Sequence, residues 1–323
     1  MAVKISFEGK AYSSDGTESV LDTLLNNKVS VPYSCKSGVC HCCMMKLASG
    51  EVEGDAYKGL TEAQIKAGFF LPCSCTASSD LTIGLVDDHS LAKKTKAEII
   101  DKTDLSGEIM RLRIKPEVEY RYQSGQFLNL FKDENTVRSY SLASTSKLED
   151  FLEFHIQRLP NGAVSGWLHD AVNIGDSVHI SEAMGECYYR PGKEDRPLLL
   201  VATGSGFAPV YGIVRTALEF GHYGPIHVYH GSSRQDGLYL VDEMREMAEH
   251  HPNLHYTPCL SRDAVGDVAK GRANDIAMAN HPDLKGWLVY LCGHPDMVNN
   301  LRKQAFLAGS SFSDIYADAF THS

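Results

Sequence analysis

Four cysteines crowd into nine residues, "CKSGVCHCC" at 35–43. Thiols at that density can hold a metal, close disulfides or act as reactive groups. The chain has nine cysteines, at 35, 40, 42, 43, 73, 75, 187, 259 and 292, and six of them fall within 41 residues. An odd total gathered at one end points to metal binding and away from a disulfide framework. Two ligand sets satisfy the spacing. Structural zinc could use Cys40-x2-Cys43 with Cys73-x-Cys75 and would leave Cys35 without a role. An iron–sulfur cluster would use Cys35-x4-Cys40-x2-Cys43 and one distant cysteine. Gly38 would let that loop turn tightly enough to aim backbone amides at the sulfurs.

A second chemical signal is "ATGSGFAP" at 202–209, which follows an apolar run and opens a helix. Gly204 and Gly206 allow the backbone to approach a diphosphate, and a helix N-terminus favours its charge. Pro209 stands where a third glycine would complete the dinucleotide fingerprint. No Ser/His/Asp triad or carboxylate pair has support in the sequence, and most of the fourteen histidines read as surface or packing residues.

Composition narrows the class. A chain of 323 residues makes about two domains, with room for a third if they are small. It can bury about three-quarters of its unfolded surface, so it does not need cysteines as staples. A net charge of −10 argues against nucleic-acid and anionic-membrane partners. No run approaches the ~18 apolar residues of a membrane span. The start, "MAVKISFEGK", has no signal-like run. The expected address is cytoplasmic, where thiols stay reduced.

Three segments must position these residues. In 1–88, "VKISF" reads as a strand with Gly9 in the turn after it. "SVLDTLLNN" places Val20, Leu21, Leu24 and Leu25 on one helical face, and "DLTIGLV" closes the segment as a strand. Residues 87–96, "DDHSLAKKTK", read as a linker. In 97–192, the short runs "EIMRLRI", "FLNLF", "FLEFHIQ" and "DSVHI" suggest an antiparallel barrel, with "SGWLHDAV" the single helical stretch. In 193–323 the rhythm becomes strand, helix, strand. "PLLLVA", "IHVYH" and "WLVYLCG" are buried strands; "PVYGIVRTALEFG" and "PDMVNNLRKQAFLAG" are helices. That is a doubly wound, parallel-sheet α/β pattern.

Residues 35–81 resemble plant-type ferredoxins, in which a Leu-x-Cys follows the third ligand after some thirty residues. The resemblance implies a β-grasp domain with a [2Fe–2S] cluster on Cys35, Cys40, Cys43 and Cys73. Cys75 is the fallback and Cys42 a spare thiol. His41 departs from the family, which usually has glycine there.

"RSYSLAS" at 138–144 resembles the Arg-x-Tyr-Ser signature of ferredoxin–NADP reductase-like flavoproteins. By that resemblance Arg138 and Ser139 would bind FAD, with Arg138 forking onto its diphosphate. Tyr140 would lie against the ring system, and Ser141 would hydrogen-bond N5 and act in catalysis. His155, in "FLEFHIQ", joins the expected cofactor contacts. "NGAVSGWL" is similar to the family's second element, which implies that Gly162, Val164 and Ser165 present donors to phosphate. "SEAMGECYY" departs from the family's Gly-Pro-x-Gly: Glu182 and Ala183 replace the first pair, while Gly185 remains.

"TGSGFAP" resembles the family's Thr-Gly-x-Gly-x-Ala-Pro, so Thr203, Gly204, Ser205 and Gly206 would bind the nicotinamide coenzyme. "CGHPDMV" at 292–298 resembles Cys-Gly-x-Pro-x-Met-Val, which would place Cys292 beside the nicotinamide as a catalytic residue, with Gly293 and Pro295 around it. No acid stands at the tip of "YHGSSRQDGLY", and Arg234 with two serines could take a 2′-phosphate. Relatives with this domain order mostly use NADH, which implies NADH, with NADPH open. The tail resembles the family's Asp-x-Phe, so Phe320 could cover the flavin.

The order of the three segments resembles the reductase components of bacterial multicomponent oxygenases. The implied partner is a Rieske or di-iron terminal oxygenase component, or an intermediate ferredoxin, docking near residues 34–43. A deoxysugar-dehydratase partner uses the same architecture, and a zinc-stabilised binding module is the non-enzymatic alternative.

Overall fold

A computed structural model describes residues 2–86, 94–262 and 266–320. In the N-terminal part, β1 (Val3–Phe7) and β2 (Lys10–Ser14) form a hairpin through Gly9, whose φ is +75°. Helix α1 (Val20–Asn26) starts where Ser19 Oγ accepts the Asp22 amide at 3.0 Å. There follow β3 (Met45–Ser49), β4 (Val52–Gly54), α2 (Glu62–Lys66), β5 (Phe69–Phe70), β6 (Cys75–Ala77) and β7 (Leu81–Gly84). The main sheet runs β2-β1-β7-β3-β5, with β1 and β7 parallel, and α1 buries Val20, Leu21 and Leu24 against it. This is a β-grasp. Sequence reading missed β3 to β6 and α2, which are too short to show a period; the pair β4–β6 matters because it fixes the segment that carries Cys73.

The central part contains β8 (Thr95–Asp104), β9 (Ile109–Pro116), β10 (Phe127–Phe131), β11 (Val137–Ser141), β12 (Leu152–Gln157), α3 (Ala163–Asp170) and β13 (Ser177–Ile180). The sheet order is β11-β10-β13-β8-β9-β12, antiparallel throughout. The edges β11 and β12 curl together, and the Ala143 amide donates to the Glu153 carbonyl at 2.9 Å. Leu112, Leu128, Phe154 and Ile156 fill the barrel, and α3 closes it with Val164 and Leu168. Of the expected linker, residues 87–93 lie outside the described residues, and β8 already begins at Thr95.

The last part contains β14 (Leu198–Thr203), α4 (Phe207–Glu219), β15 (Ile226–Ser232), α5 (Val241–His250), β16 (Leu254–Leu260), β17 (Ala269–Lys270), α6 (Ala273–Asn280), β18 (Leu288–Gly293), α7 (Pro295–Leu307) and β19 (Ile315–Ala319). The sheet order β17-β16-β15-β14-β18-β19 is wholly parallel. Its chain order reverses between β14 and β18, and in open α/β sheets ligands bind at the carboxyl ends of strands flanking such a point. The barrel and this domain share packing: Ile109, Cys187 and Tyr189 join the core around α4 and β14. A Cβ at Gly212 would stand 2.9 Å from the Ala143 carbonyl oxygen, so the helix lies flush on the barrel.

Candidate functional site

The cysteine loop has no regular structure and turns through left-handed residues, Lys36 (φ +50°), Gly38 (+71°) and His41 (+55°). Glycine is required at 38, where a Cβ would stand 2.3 Å from Ser74 Oγ. Lys36 pins the loop to α1 through Asp22 at 2.9 Å. With those turns the amides point inward. Ser37, Val39 and Cys40 donate to Cys35 Sγ at 3.4, 3.4 and 3.3 Å, and Cys35 donates to Cys40 Sγ at 3.4 Å. Cys43 and Cys73 form a second pair, close enough that each thiol shifts the other's titration. That interaction, with help from Ser74 and the Gly38 amide, outweighs burial and lowers Cys73 to about 7. Its bond to Cys40 and burial push Cys35 up to about 12.

Cys75 turns the other way, into the domain core, and donates to the Leu71 carbonyl at 3.4 Å. Cys42 donates to the Cys40 carbonyl at 3.7 Å. The structure therefore sets Cys35 against Cys40 and Cys43 against Cys73. Among the described residues, no three His, Cys, Asp or Glu side chains are placed to hold a metal ion. A tetrahedral zinc needs four donors around one centre. Two separate thiol pairs, wrapped by amides aimed at sulfur, suit a cluster with two irons.

Strand β11 carries the flavin-type motif. Ser141 Oγ donates to Asp318 Oδ2 at 2.8 Å, and Tyr140 packs on the barrel core. Arg138 Nη1 donates to the Tyr33 carbonyl at 3.1 Å, and its guanidinium stands 5.2 Å from the Tyr33 ring. Helix α3 follows Gly162, its N-cap, with no side-chain cap on its first amides. A Cβ at Gly162 would stand 2.2 Å from Ser165 Oγ, so a larger residue there would have to turn that hydroxyl aside. A cleft of about 520 Å³ borders Gly162 but is lined by Arg158, Asn161 and Asp170, not by Arg138, Tyr140 or Ser141.

His155 does not join this group. Its ring is buried, with Nε2 3.1 Å from Glu153 Oε1 and Nδ1 3.2 Å from Tyr239 Oη. Both nitrogens are taken at the contact with the last domain.

The coenzyme-type crevice is built from close backbone approach. A Cβ at Gly206 would lie 2.5 Å from Gly293 Cα and 2.6 Å from the Cys292 carbonyl. Gly293 has φ +120° and faces the Thr203 carbonyl. Thr203 Oγ1 accepts the His294 amide at 3.0 Å, and Pro295 opens α7. The Phe320 amide donates to the Gly293 carbonyl at 2.8 Å, which keeps the aromatic residue at the crevice. Ser205 lies in the glycine turn, and exposed Arg234 follows the tip of β15, where its amide donates to Ser232 Oγ at 3.3 Å.

Cys292 is fully buried, pairs in register with Asp318, and lies 3.6 Å from Cys187 Sγ. Asp318 is thus the residue at which Ser141 and Cys292 meet; the tail's Asp-x-Phe match included it but gave it no role. The available signal was its place two residues before Phe320. Burial pushes Asp318 up to about 6, against the lowering effect of the Ser141 hydroxyl, and the field of Cys35 adds to the rise.

Comparison with known proteins agrees with this layout. Residues 5–78 match a 2Fe-2S iron-sulfur cluster binding domain, 96–189 an oxidoreductase FAD-binding domain and 200–303 an oxidoreductase NAD-binding domain. The chain is 30% identical over 328 residues to a Yersinia pestis CDP-6-deoxy-L-threo-D-glycero-4-hexulose-3-dehydrase reductase, covering 99% of this chain and 98% of that one. It is 31% identical over 306 residues to the ferredoxin–NAD(P)(+) reductase component of Ralstonia naphthalene 1,2-dioxygenase/salicylate 5-hydroxylase systems, covering 93% of each. Among solved structures, an Amycolatopsis cytochrome P450 reductase matches with a TM-score of 0.70 at 28% identity and 99% coverage of both chains. The chain belongs to the ferredoxin–NADP reductase-like flavoproteins with an N-terminal plant-type [2Fe–2S] domain, and it is an NADH-dependent iron–sulfur flavoprotein oxidoreductase.

Proposed function

We propose that this chain takes hydride from NADH and delivers single electrons to a terminal oxygenase component or its intermediate ferredoxin. The observation that carries the reading is the meeting of Ser141, Asp318 and Cys292, which joins the flavin-type strand to the nicotinamide-type crevice. Residues 1–88, 97–192 and 193–323 are assigned to the cluster, FAD and NAD(P) domains. Bound FAD accepts a hydride and returns its electrons singly, and a bound [2Fe–2S] cluster carries one at a time.

The side chains supply position. Thr203, Gly204, Ser205 and Gly206, with Gly293, Pro295 and Arg234, would seat the coenzyme, and Cys292 would set its distance. Ser139, Tyr140 and Ser141 would line the FAD site, with Gly162, Val164 and Ser165 at the helix end for phosphate. Arg138 would fork onto the FAD diphosphate. Phe320 would cover the ring where nicotinamide enters. Cys35 with Cys40, and Cys43 with Cys73, would hold the cluster. His155 is assigned a structural place at the domain contact.

The acceptor is inferred from the oxygenase-system relatives. The full-length Yersinia relative favours a second reading, with a deoxysugar dehydrase as acceptor. Among the described residues no helix is long and apolar enough to cross a membrane, and all nine cysteines are free, which supports a reducing, cytoplasmic setting. An anaerobic titration of the purified holoprotein with NADH and with NADPH, followed by absorbance and EPR, tests the core of the reading. NADH should bleach the flavin and then bring up a reduced-cluster signal. A preparation without flavin, iron and sulfide after reconstitution would overturn it. Rates with a purified oxygenase and a purified dehydrase then separate the two acceptors.

A further inference from the structure

The contact between the first two domains is made by polar groups with little water access. Asn129, in the middle of β10, is 3% exposed. Its Nδ2 donates to the Cys40 carbonyl at 3.0 Å, and its Oδ1 accepts from Ser139 Oγ at 2.8 Å. The Ser139 amide donates to Ser34 Oγ at 3.1 Å. The barrel thus grips the cysteine loop at the residue before Cys35 and at Cys40 itself.

Two features mark this as more than packing. Asn129 is itself almost wholly removed from water, and an unpaired amide there would be costly. Both polar ends of the Asn129 side chain are satisfied, one of them only while the first domain is docked. Second, Asn129 pairs in register with Ser139, and Ser139 and Ser141 project from the same face of β11. One strand face therefore carries both the hydroxyl that meets Asp318 and the hydroxyl that reaches the cysteine loop.

We propose that Asn129 is a positioning residue for electron transfer within the chain. Its amide holds the Cys40 carbonyl, and with it the cluster, at fixed separation from the flavin side of β11. Ser34 and Ser139 complete the latch. The inference rests on the proposed reading that Cys40 holds the cluster and β11 lines the FAD site.

The test uses the full-length holoprotein and its Asn129→Leu variant. Anaerobic stopped-flow should show flavin reduction by NADH within twofold of wild type and cluster reduction slowed at least tenfold. Iron, sulfide and the cluster EPR line shape should be unchanged. Amide hydrogen exchange across residues 34–43 should quicken at least tenfold. Unchanged cluster reduction with unchanged exchange would overturn the proposal. If the Leu variant does not fold or assemble its cluster, Ser34→Ala carries the same expectations, at threefold or more, and normal rates there overturn it. Failure of the underlying reading looks different: wild-type protein would lack the cluster, or Cys40→Ser would keep it.

Discussion

Ser141 and Asp318 are 177 residues apart in the chain and 2.8 Å apart in space, hydroxyl to carboxylate. The bond gives the hydroxyl a state that depends on pH. When Asp318 is ionised it takes the only proton Ser141 can donate; when Asp318 is protonated it can donate instead, and the Ser141 proton is released toward the cleft. Burial is the main cause that raises Asp318, to about 6. The rate of flavin reduction by NADH should therefore inflect near pH 6, falling as pH rises, and Asp318→Asn should flatten the profile. Stability follows the same sign. A raised carboxylate costs nothing below its unfolded value of 3.8 and its full penalty, about 3 kcal/mol, above 6. Denaturant melts from pH 4 to 7 should show wild type losing that share and Asp318→Asn keeping it.

Cys73 and Cys75 are separated by one residue and by opposite directions. Cys73 faces Cys43 and the amide-lined loop, while Cys75 is 3% exposed in the domain core. Cys73→Ser should lose inorganic sulfide and the cluster spectrum while keeping FAD. Cys75→Ser should keep the cluster, at a stability cost of about 1 kcal/mol, because a hydroxyl can still donate to the Leu71 carbonyl. Cys42→Ser should be silent. Retention of sulfide by Cys73→Ser would move the ligand assignment.

The legible parts of the sequence were those with a period or a fixed spacing. Strands such as "FLNLF" and "PLLLVA" and helix "PVYGIVRTALEFG" appear where their patterns place them, as β10, β14 and most of α4. In the first domain β4, β5 and β6 escaped because two or three residues carry no period, and β4 and β6 exist only as each other's partner. The role of Asp318 escaped because it comes from contact with a residue of another domain. The Arg138 motif was legible, but its bond to the Tyr33 carbonyl was not, because that contact is made by domain docking.

Gly206 tests the crevice. Its φ is an ordinary −61°, so backbone strain is not the constraint. The constraint is space: an added Cβ would lie 2.5 Å from Gly293 Cα and 2.6 Å from the Cys292 carbonyl, and backbone cannot swing aside as a side chain can. Gly206→Ala should cost about 1–3 kcal/mol by overpacking. It should also raise KM for NADH at least tenfold, while dithionite still reduces the cluster fully. A normal KM would show that coenzyme enters elsewhere.

Glu153 tests the contact between barrel and coenzyme domain. Burial would raise its carboxyl, but hydrogen bonds from His155 and Arg113, the latter at 2.6 Å, hold it at about 2. Burial also lowers His155, so the ring is neutral at pH 7, donates Nε2–H to Glu153 and accepts from Tyr239. The charge that balances Glu153 is therefore Arg113. A depressed carboxylate stabilises the fold above its unfolded value of 4.5 and loses that contribution as pH falls toward 2. Glu153→Gln keeps the shape but leaves Arg113 without its counter-charge, which should cost about 3–5 kcal/mol at pH 7. The wild-type advantage should shrink between pH 4.5 and 2, because protonation does to Glu153 what the substitution does. Thermal melts across that range check it, and a pH-independent gap between the two proteins would show that Arg113 does not depend on this charge.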